Sequence, residues 1–450
     1  MRVKSVKKVL ATAVASVVLV GPLAAAELEN KLVVITSFPK DLTKSFKKGF
    51  ESKYPGVKVE MLKKKTTAGI KYIQETKKNN KADIYWVSAP DAFEVLKDDG
   101  LLQVYRSETK GIPETIGTYP LSDPDGYYSG VAAAGYGIMW NKRYLNAKKL
   151  PTPAQWKDLA KPVYHGHVGM SAPSRSGTTH LTVETMLQSE EGWADGWKNI
   201  KRMAGNFKTV TERSFGVPDG VNTGSFGVGI VIDFFGLSSK ASGFPVDFTY
   251  PRYTAVVPAN AGIINNAPHI NAARAFVDYL RSNDGQKILL EPKISRLPIN
   301  PETYAQAPKG FPNPFEDGSI GKDIKFDVKL SKSRYNLVNS LFDVMITYRL
   351  EDLSDATKAL QEASMLLAKN DNPKAKKLIA EGWALIDATP VSDELSLKDD
   401  FTAVFKTKRK KRTDKVYGRQ AEVEEKWDRE VKDNYQKAKT LAHLAIDLIK

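Results

Sequence analysis

A chain of 450 residues with 67 Lys and Arg against 52 Asp and Glu carries a formal charge of +15 and contains no cysteine. The missing cysteine excludes disulfides, thiolate metal sites and a lipid-anchored N-terminal Cys, and beyond the first residues no apolar run approaches the roughly eighteen needed to span a bilayer. The positive balance suits small anions, nucleic acid or anionic lipid alike. Residues 1–26 read as a secretory signal: Arg2, Lys4, Lys7 and Lys8 precede the apolar run Val9–Val20, and Ala24, Ala25 and Ala26 precede Glu27. Cleavage is therefore expected near Ala26, giving an exported, periplasmic protein. The leader holds four Lys or Arg and no acid, so the rest of the chain carries +11. About 420 remaining residues suffice for two or three domains with real cores.

The mature part opens with Leu32–Ile35 as a short strand, a turn through Thr36–Pro39, and a helix over Leu42–Tyr54 spaced by Phe46 and Phe50. Val57–Leu62 alternates as a second strand, Thr67–Asn79 follows as a helix, and Ala82–Val87 is a third strand. Strands alternating with helices indicate an α/β domain with a largely parallel sheet, whose ligand sites lie at the carboxyl ends of the strands. Thr36, Ser37 and Ser88 fall at those ends, where each also suits a plain turn or cap. Asp91–Asp99 is a short helix ended by Gly100. Tyr127–Asn141, rich in small residues, reads as strands crossing into a second domain, and Trp156–Leu159 is a short helix.

The stretch Ser171–Thr185, SAPSRSGTTHLTVET, runs from a hydroxyl-rich, glycine-broken loop into an apolar-spaced segment. Ser174, Ser176, Gly177, Thr178 and Thr179 thus stand at a helix start, where free N–H groups and the positive dipole end suit an anionic oxygen group. The same pattern also serves as an ordinary N-cap. Glu190–Ala204 carries Trp193, Trp197, Ile200 and Met203 at helical spacing, which is core packing. Val228–Ile232 is a buried-strand run delivering Asp233, Phe234 and Phe235. A carboxylate there needs a partner, or caps the next turn. Thr254–Val257 returns the chain to the first domain, Ile270–Arg281 is a helix, and Arg296–Asn300 is a loop. From about Leu330 only helices follow: Arg334–Leu350, Leu353–Ala368, Pro373–Asp387 and Ala421–Ile449, with Asp399–Phe405 a short helix or strand. The basic run Lys406–Arg412 lacks interleaved aromatic residues, so it reads as a solvated loop and not as a nucleic-acid site.

In this order the features resemble the periplasmic solute-binding proteins of ABC importers, in the group with ferric-iron, aminoethylphosphonate, hexose-phosphate and phosphoglycerate binders. The resemblance is carried by the leader and by VVITSFPKDL at 33–42, ADIY at 82–85, SRSGTT at 174–179 and VIDFF at 231–235. It is carried above all by APHINAARAFVDYL at 267–280 with SNDGQ at 282–286. It covers roughly 28–310, and the first helices beyond it look like those of phosphoglycerate transport regulatory proteins. It implies a type 2 fold of two α/β lobes joined by two crossing strands: lobe 1 from 27–130 and 255–325, lobe 2 from 131–254, and a helical extension over 326–450. It also implies ligand contacts from Thr36, Ser37 and Ser88 in the first lobe. In the second lobe it implies Ser174, Ser176, Gly177, Thr178, Thr179 and Asp233. Ferric-binding members place adjacent tyrosines where this chain has Phe234 and Phe235, and phenylalanine cannot ligate a hard ferric ion. Tyr127 and Tyr128 read as hinge-strand packing.

Four functions compete on this basis. The first is capture of a small phosphorylated or phosphonate solute for delivery to an inner-membrane ABC permease, with no metal or other cofactor and no nucleic-acid partner. The second is ferric-ion binding. The third is a sensory role, in which the loaded protein meets a membrane sensor, and the extra helices motivate it. The fourth, catalysis, finds little support. His165 and His167 are too close for a helical metal pair, His180 has no acidic cluster, and SRSG at 174–177 lacks the glycine that precedes a nucleophilic serine.

Overall fold

A computed structural model gives the fold. It describes residues 27–450 except 117–118, 190, 317–319, 322–323 and 407–413, so the expected leader and most of the basic run Lys406–Arg412 lie outside the described residues. Ten strands form the main sheet: β1 (Lys31–Thr36), β2 (Lys58–Lys63), β3 (Ile84–Val87), β4 (Leu102–Gln103), β5 (Ser129–Asn141), β6 (Val168–Ser171), β7 (Phe207–Thr211), β8 (Val228–Ile232), β9 (Val246–Thr249) and β10 (Val256–Ile264). Their spatial order is β2-β1-β3-β10-β5-β8-β6-β7, with β4 on β10 and β9 on β5.

β5 is a single thirteen-residue strand that serves two lobes. Ser129–Gly135 pairs antiparallel with β10, beside the parallel set β1, β2 and β3. From Tyr136 onward it pairs with β8 and β9, beside the parallel set β6 and β7. The partner switch falls between Gly135 and Tyr136, and Thr254 sits across it, accepting from the Tyr136 N–H at 3.1 Å and donating to the Tyr136 carbonyl at 2.7 Å. This is the two-lobed architecture with two crossing strands.

Lobe 1 buries both faces of its sheet. Leu32 and Val34 of β1 pack against α1 (Lys40–Lys53) and α7 (Ile270–Arg281) through Phe46, Phe50 and Phe276. Val33 and Ile35, pointing the other way as strand alternation requires, pack toward α2 (Thr66–Thr76) and α3 (Pro90–Asp98) through Ile73 and Phe93. The SNDGQ segment ends α7 and opens a new helix, α8 (Asn283–Ile288), capped by Ser282, whose hydroxyl accepts from Gly285 N–H. The Arg296–Asn300 segment, expected as a loop, is buried. Its Leu297 carbonyl accepts from Ala133 N–H of β5 at 2.7 Å, and Gln286 fastens it by accepting from Ile299 N–H at 2.8 Å.

Lobe 2 and the C-terminal helices share one core. The extension comprises α9 (Val328–Ser333), α10 (Tyr335–Phe342) and a π-helical turn (Asp343–Thr347). It continues with α11 (Leu350–Leu367), α12 (Pro373–Asp387) and α13 (Gly418–Ile449), so the single helix expected over Arg334–Leu350 is broken. Trp193, Trp197, Ile200 and Met203 pack in one cluster with Leu341, Phe342, Leu353 and Ile386. A buried pair locks the seam: Arg334 donates to both carboxylate oxygens of Glu184 at 2.8–3.2 Å, and both side chains are almost wholly excluded from solvent.

Removing one partner of such a pair leaves an unpaired buried charge, whereas replacing both by apolar groups is close to neutral. Arg334→Met should therefore lower unfolding free energy by about 3–5 kcal/mol in urea titrations. Adding Glu184→Leu should recover most of that loss.

Candidate functional site

Ala89, just beyond the carboxyl end of β3, meets the start of α4 (Gly177–Leu187). Each of these points follows from strand-turn-helix sequence: the chain leaves an apolar strand, turns through small hydroxyl residues, and re-enters a helix. The lobes approach each other at Gly177, where an added Cβ would lie 3.1 Å from the Ala89 side chain and near nothing else. Ser88 precedes Ala89 and is half-buried, as are Ser37, Ser176, Gly177 and Thr178. Ser88 stands beside Ala89 on one side of this seam and Ser176 and Thr178 flank Gly177 on the other, while Ser37 follows the end of β1 and bonds Thr66.

Not every hydroxyl at that seam is free. Ser176 is the N-cap of α4 and accepts from Thr179 N–H at 3.2 Å. Buried Thr179 bonds Ser171 through its hydroxyl. Thr36, also buried, accepts from Phe38 N–H at 3.1 Å, which shapes the turn after β1. Ser37 accepts a long bond from Thr66. Ser174 faces the extension instead of lobe 1, its hydroxyl beside the Asp343 carboxyl. His180 is not at the seam but inside lobe 2, bonded at 3.1 Å to Asn339 and to Ser331.

Asp233 is wholly buried at the hinge. One oxygen accepts from Gly135 N–H at 2.6 Å and from the Tyr250 hydroxyl at 2.9 Å; the other accepts from its own helix, α6 (Asp233–Ala241), through Phe234 N–H at 2.7 Å. The side chain therefore brackets the strand crossing. Burial pushes its carboxyl up to about 7, against the pull of those donors and of Arg296 nearby.

Arg296, which sequence reading passed over as part of a loop, is the other charge at this point and is 1% exposed. Its guanidinium lies 3.6 Å from the ring centre of Phe234 and 4.6 Å from that of Phe38. Neither Nη1 nor Nη2 has a hydrogen-bond partner. The Tyr136 hydroxyl and Trp86 Nε1 are likewise buried without a partner. Burial lowers Arg296 to about 9, partly offset by Asp233. The rule that singles out Asp233, a charge set in an apolar run, also fits Arg296 within ISRLPI at 294–299. Among the described residues no group of three His, Asp or Glu side chains is placed to hold a metal ion.

Residues 79–326 match the family model of the bacterial extracellular solute-binding proteins. The chain belongs to this family. Over 383 residues, 84% of this chain and 90% of the relative, it is 30% identical to the phosphoglycerate transport regulatory protein PgtC of Salmonella typhimurium. It is 24% identical over 261 residues, 54% of the chain and 71% of the relative, to iron uptake protein A1 of Synechocystis. Among solved structures it resembles the periplasmic binding protein AfuA of Actinobacillus pleuropneumoniae with fructose-6-phosphate bound. That likeness has a TM-score of 0.62 at 22% identity and covers 70% of this chain and 98% of that one. It also resembles the apo ferric ion-binding protein A of Pasteurella haemolytica, with a TM-score of 0.57 at 16% identity over 70% and 97% of the two chains. The solute-binding protein thus has the type 2 two-lobed fold, with a helical region added at its C-terminus. Among the described residues no helix is long and apolar enough to cross a membrane.

The hinge carboxyl makes a pH prediction. An unfolded Asp titrates near pH 4 and folded Asp233 near 7, so between these values the folded chain holds the extra proton. Its contribution to stability must fall as pH rises from about 4 to about 7, by up to about 4 kcal/mol, and stay level above. Asp233→Asn should remove that slope in denaturant titrations across this range.

Proposed function

We propose that the protein is a periplasmic binding protein that captures a small phosphorylated or phosphonate organic solute between its lobes and delivers it to an inner-membrane ABC permease. In this reading lobe 1 (27–130 with 255–325) closes on lobe 2 (131–254). Ser37, Ser88, Gly177 and Thr178 line the mouth of the cleft, and Asp233 holds its floor. The observation that carries it is the approach of Ala89 to Gly177. A helix start, whose first amides have no intrahelical acceptor, is pressed to the strand ends of the opposite lobe, where a bound anion would be enclosed by both. The fructose-6-phosphate of AfuA and the phosphoglycerate in the name of PgtC support a phosphorylated solute. Ferric ion is the weaker reading, because a buried guanidinium beside Phe234 repels a trivalent cation.

A sensory role is a second reading, favoured by the reach of the extension. It is joined to lobe 2 through Glu184–Arg334 and Arg202–Asp387, yet α9 also crosses to lobe 1, where Lys332 pairs with Asp98 and donates to the Glu94 carbonyl. The placement of lobe 1 and the position of the helical bundle are thereby linked. If closure is what a sensor reads, Lys332→Glu should loosen the closed form, raising the solute dissociation rate several-fold in stopped-flow experiments. Adding Asp98→Lys should restore it.

The first test of capture is thermal unfolding of residues 27–450 with fructose 6-phosphate, 3-phosphoglycerate, aminoethylphosphonate and ferric citrate. A ligand bound only by the folded state adds about 2.7 kcal/mol at a hundredfold excess over its Kd. Stabilisation by a phosphorylated compound is expected, and Gly177→Leu, which wedges the lobes apart at Ala89, should weaken it at least tenfold. Stabilisation by ferric citrate alone would refute the reading.

A further inference from the structure

We infer that Arg296 is the anion anchor of the interlobe cleft, its Nη1–Nη2 edge receiving two oxygens of the solute's phosphoryl or phosphonyl group. The inference rests on the solute-binding reading and deepens it, because it moves the charged end of the solute from the start of α4 to the hinge.

Burial with both terminal nitrogens unpartnered is the first ground. A guanidinium carries five donors and no acceptor, and when buried it is normally paired. Among the described residues Asp233 is the acid acting on it, and that carboxylate is already occupied by Gly135 N–H, Phe234 N–H and the Tyr250 hydroxyl. Arg296 therefore feels a nearby negative charge without being hydrogen-bonded to it.

Position is the second ground. Phe38 follows β1 of lobe 1 and Phe234 opens α6 of lobe 2, so the arginine lies where the two lobes meet. Both rings lie against the guanidinium, at 4.6 and 3.6 Å, and neither offers its outer nitrogens a hydrogen-bond acceptor. What remains is the in-plane edge, whose two parallel N–H directions match two oxygens of one oxyanion. A lysine at this position would offer a point charge without that fork.

The backbone holds the side chain there. Ser295 adopts a left-handed conformation, φ 45°, which a serine rarely takes, and it is buried. On its far side Arg296 N–H donates to the Leu289 carbonyl at 2.9 Å, and the next residue is pinned to β5 by Ala133. A strained residue kept by its surroundings immediately before a buried arginine is a positioning device.

The start of α4 is the weaker claimant to the charge. Its capping hydroxyl is spent on Thr179 N–H, and the Thr179 hydroxyl is spent on Ser171. That leaves Ser37, Ser88 and Thr178 to meet the uncharged body of the solute. The chemical class follows: a phosphoryl or phosphonyl group on a small hydroxylated or amino-bearing organic body, not bare orthophosphate, which satisfies one end alone.

The test compares the parent with Arg296→Gln and Arg296→Lys by thermal unfolding and calorimetric titration. The probes are fructose 6-phosphate, 3-phosphoglycerate, aminoethylphosphonate and orthophosphate. The expected result is that an organic phosphate or phosphonate stabilises the parent, that Arg296→Gln loses at least a hundredfold in affinity, and that Arg296→Lys loses at least tenfold although it keeps the charge. Without ligand the Gln variant should melt no lower than the parent, because it removes an unpaired buried cation. If it does not fold, the Lys variant alone decides. Equal binding by parent and folded variants would overturn the anchor and leave solute capture standing. Stabilisation of the parent by none of the probes would overturn both.

Discussion

The peptide between Gly135 and Tyr136 is where one strand stops serving the first lobe and begins serving the second, and the rest of the molecule is arranged to keep that point defined. β5 cannot break there without separating the lobes, so its register is fixed from both sides by β10 and β8. Gly135 has no side chain because the Tyr250 ring lies where a Cβ would go, 2.8 Å away. The same Tyr250 donates its hydroxyl to Asp233, which also takes the Gly135 N–H. A buried carboxylate is costly unless it is hydrogen-bonded. Here three donors offset part of that cost, and the carboxylate ties α6 to the crossing strand.

The two charges at this hinge are unequal partners. Desolvation pushes Asp233 up toward neutrality and Arg296 down toward it, and each opposes the shift of the other. Asp233 is nevertheless satisfied by donors other than Arg296, while the arginine's outer nitrogens are satisfied by nothing among the described residues. The surroundings that penalise an isolated cation also strengthen its attraction for an anion, since Coulomb interactions grow as the effective dielectric falls. A cation held in this way discriminates by sign before any detail of ligand shape is considered.

The C-terminal helices resolve differently from a tethered appendage. α5 (Gly192–Ala204) presents an apolar stripe whose complement lies in the extension, with Trp193 Nε1 donating to the Val391 carbonyl at 2.8 Å and Arg202 gripping Asp387. Gly205 accommodates Thr357 of α11 at a distance no side chain would allow. Without these helices the stripe would face water, so the extension completes the core of lobe 2. Contact with lobe 1 is mixed: Lys332 on a short helix pairs with Asp98 and donates to the Glu94 carbonyl, and the Phe326 ring lies near that of Tyr119. The shared apolar core and the buried Glu184–Arg334 pair make the bundle part of lobe 2, while fewer residues carry it to lobe 1.

This division explains what could be read in the sequence. Local periodicity places β8 at Val228–Ile232, α7 at Ile270–Arg281 and α12 at Pro373–Asp387 with the limits found, because each is set by residues within a few positions of one another. The alternation of β1 is legible for the same reason. Long-range partners are not. His180 looks like a surface or ligand-facing residue until Ser331 and Asn339, 151 and 159 positions away, are brought against it. Near the strand ends, the place of Ser88 and Gly177 was legible because loop ends of an α/β sheet meet by topology, whereas Ser174 turned to the extension, whose packing no local pattern announces. Arg296 sits between rings from positions 38 and 234, so nothing in its own neighbourhood marks it except one anomaly: a charge inside ISRLPI. A buried charge is a local sign of a distant partner, and here two such charges, Asp233 and Arg296, were written in the chain while only the fold could show that they share one place.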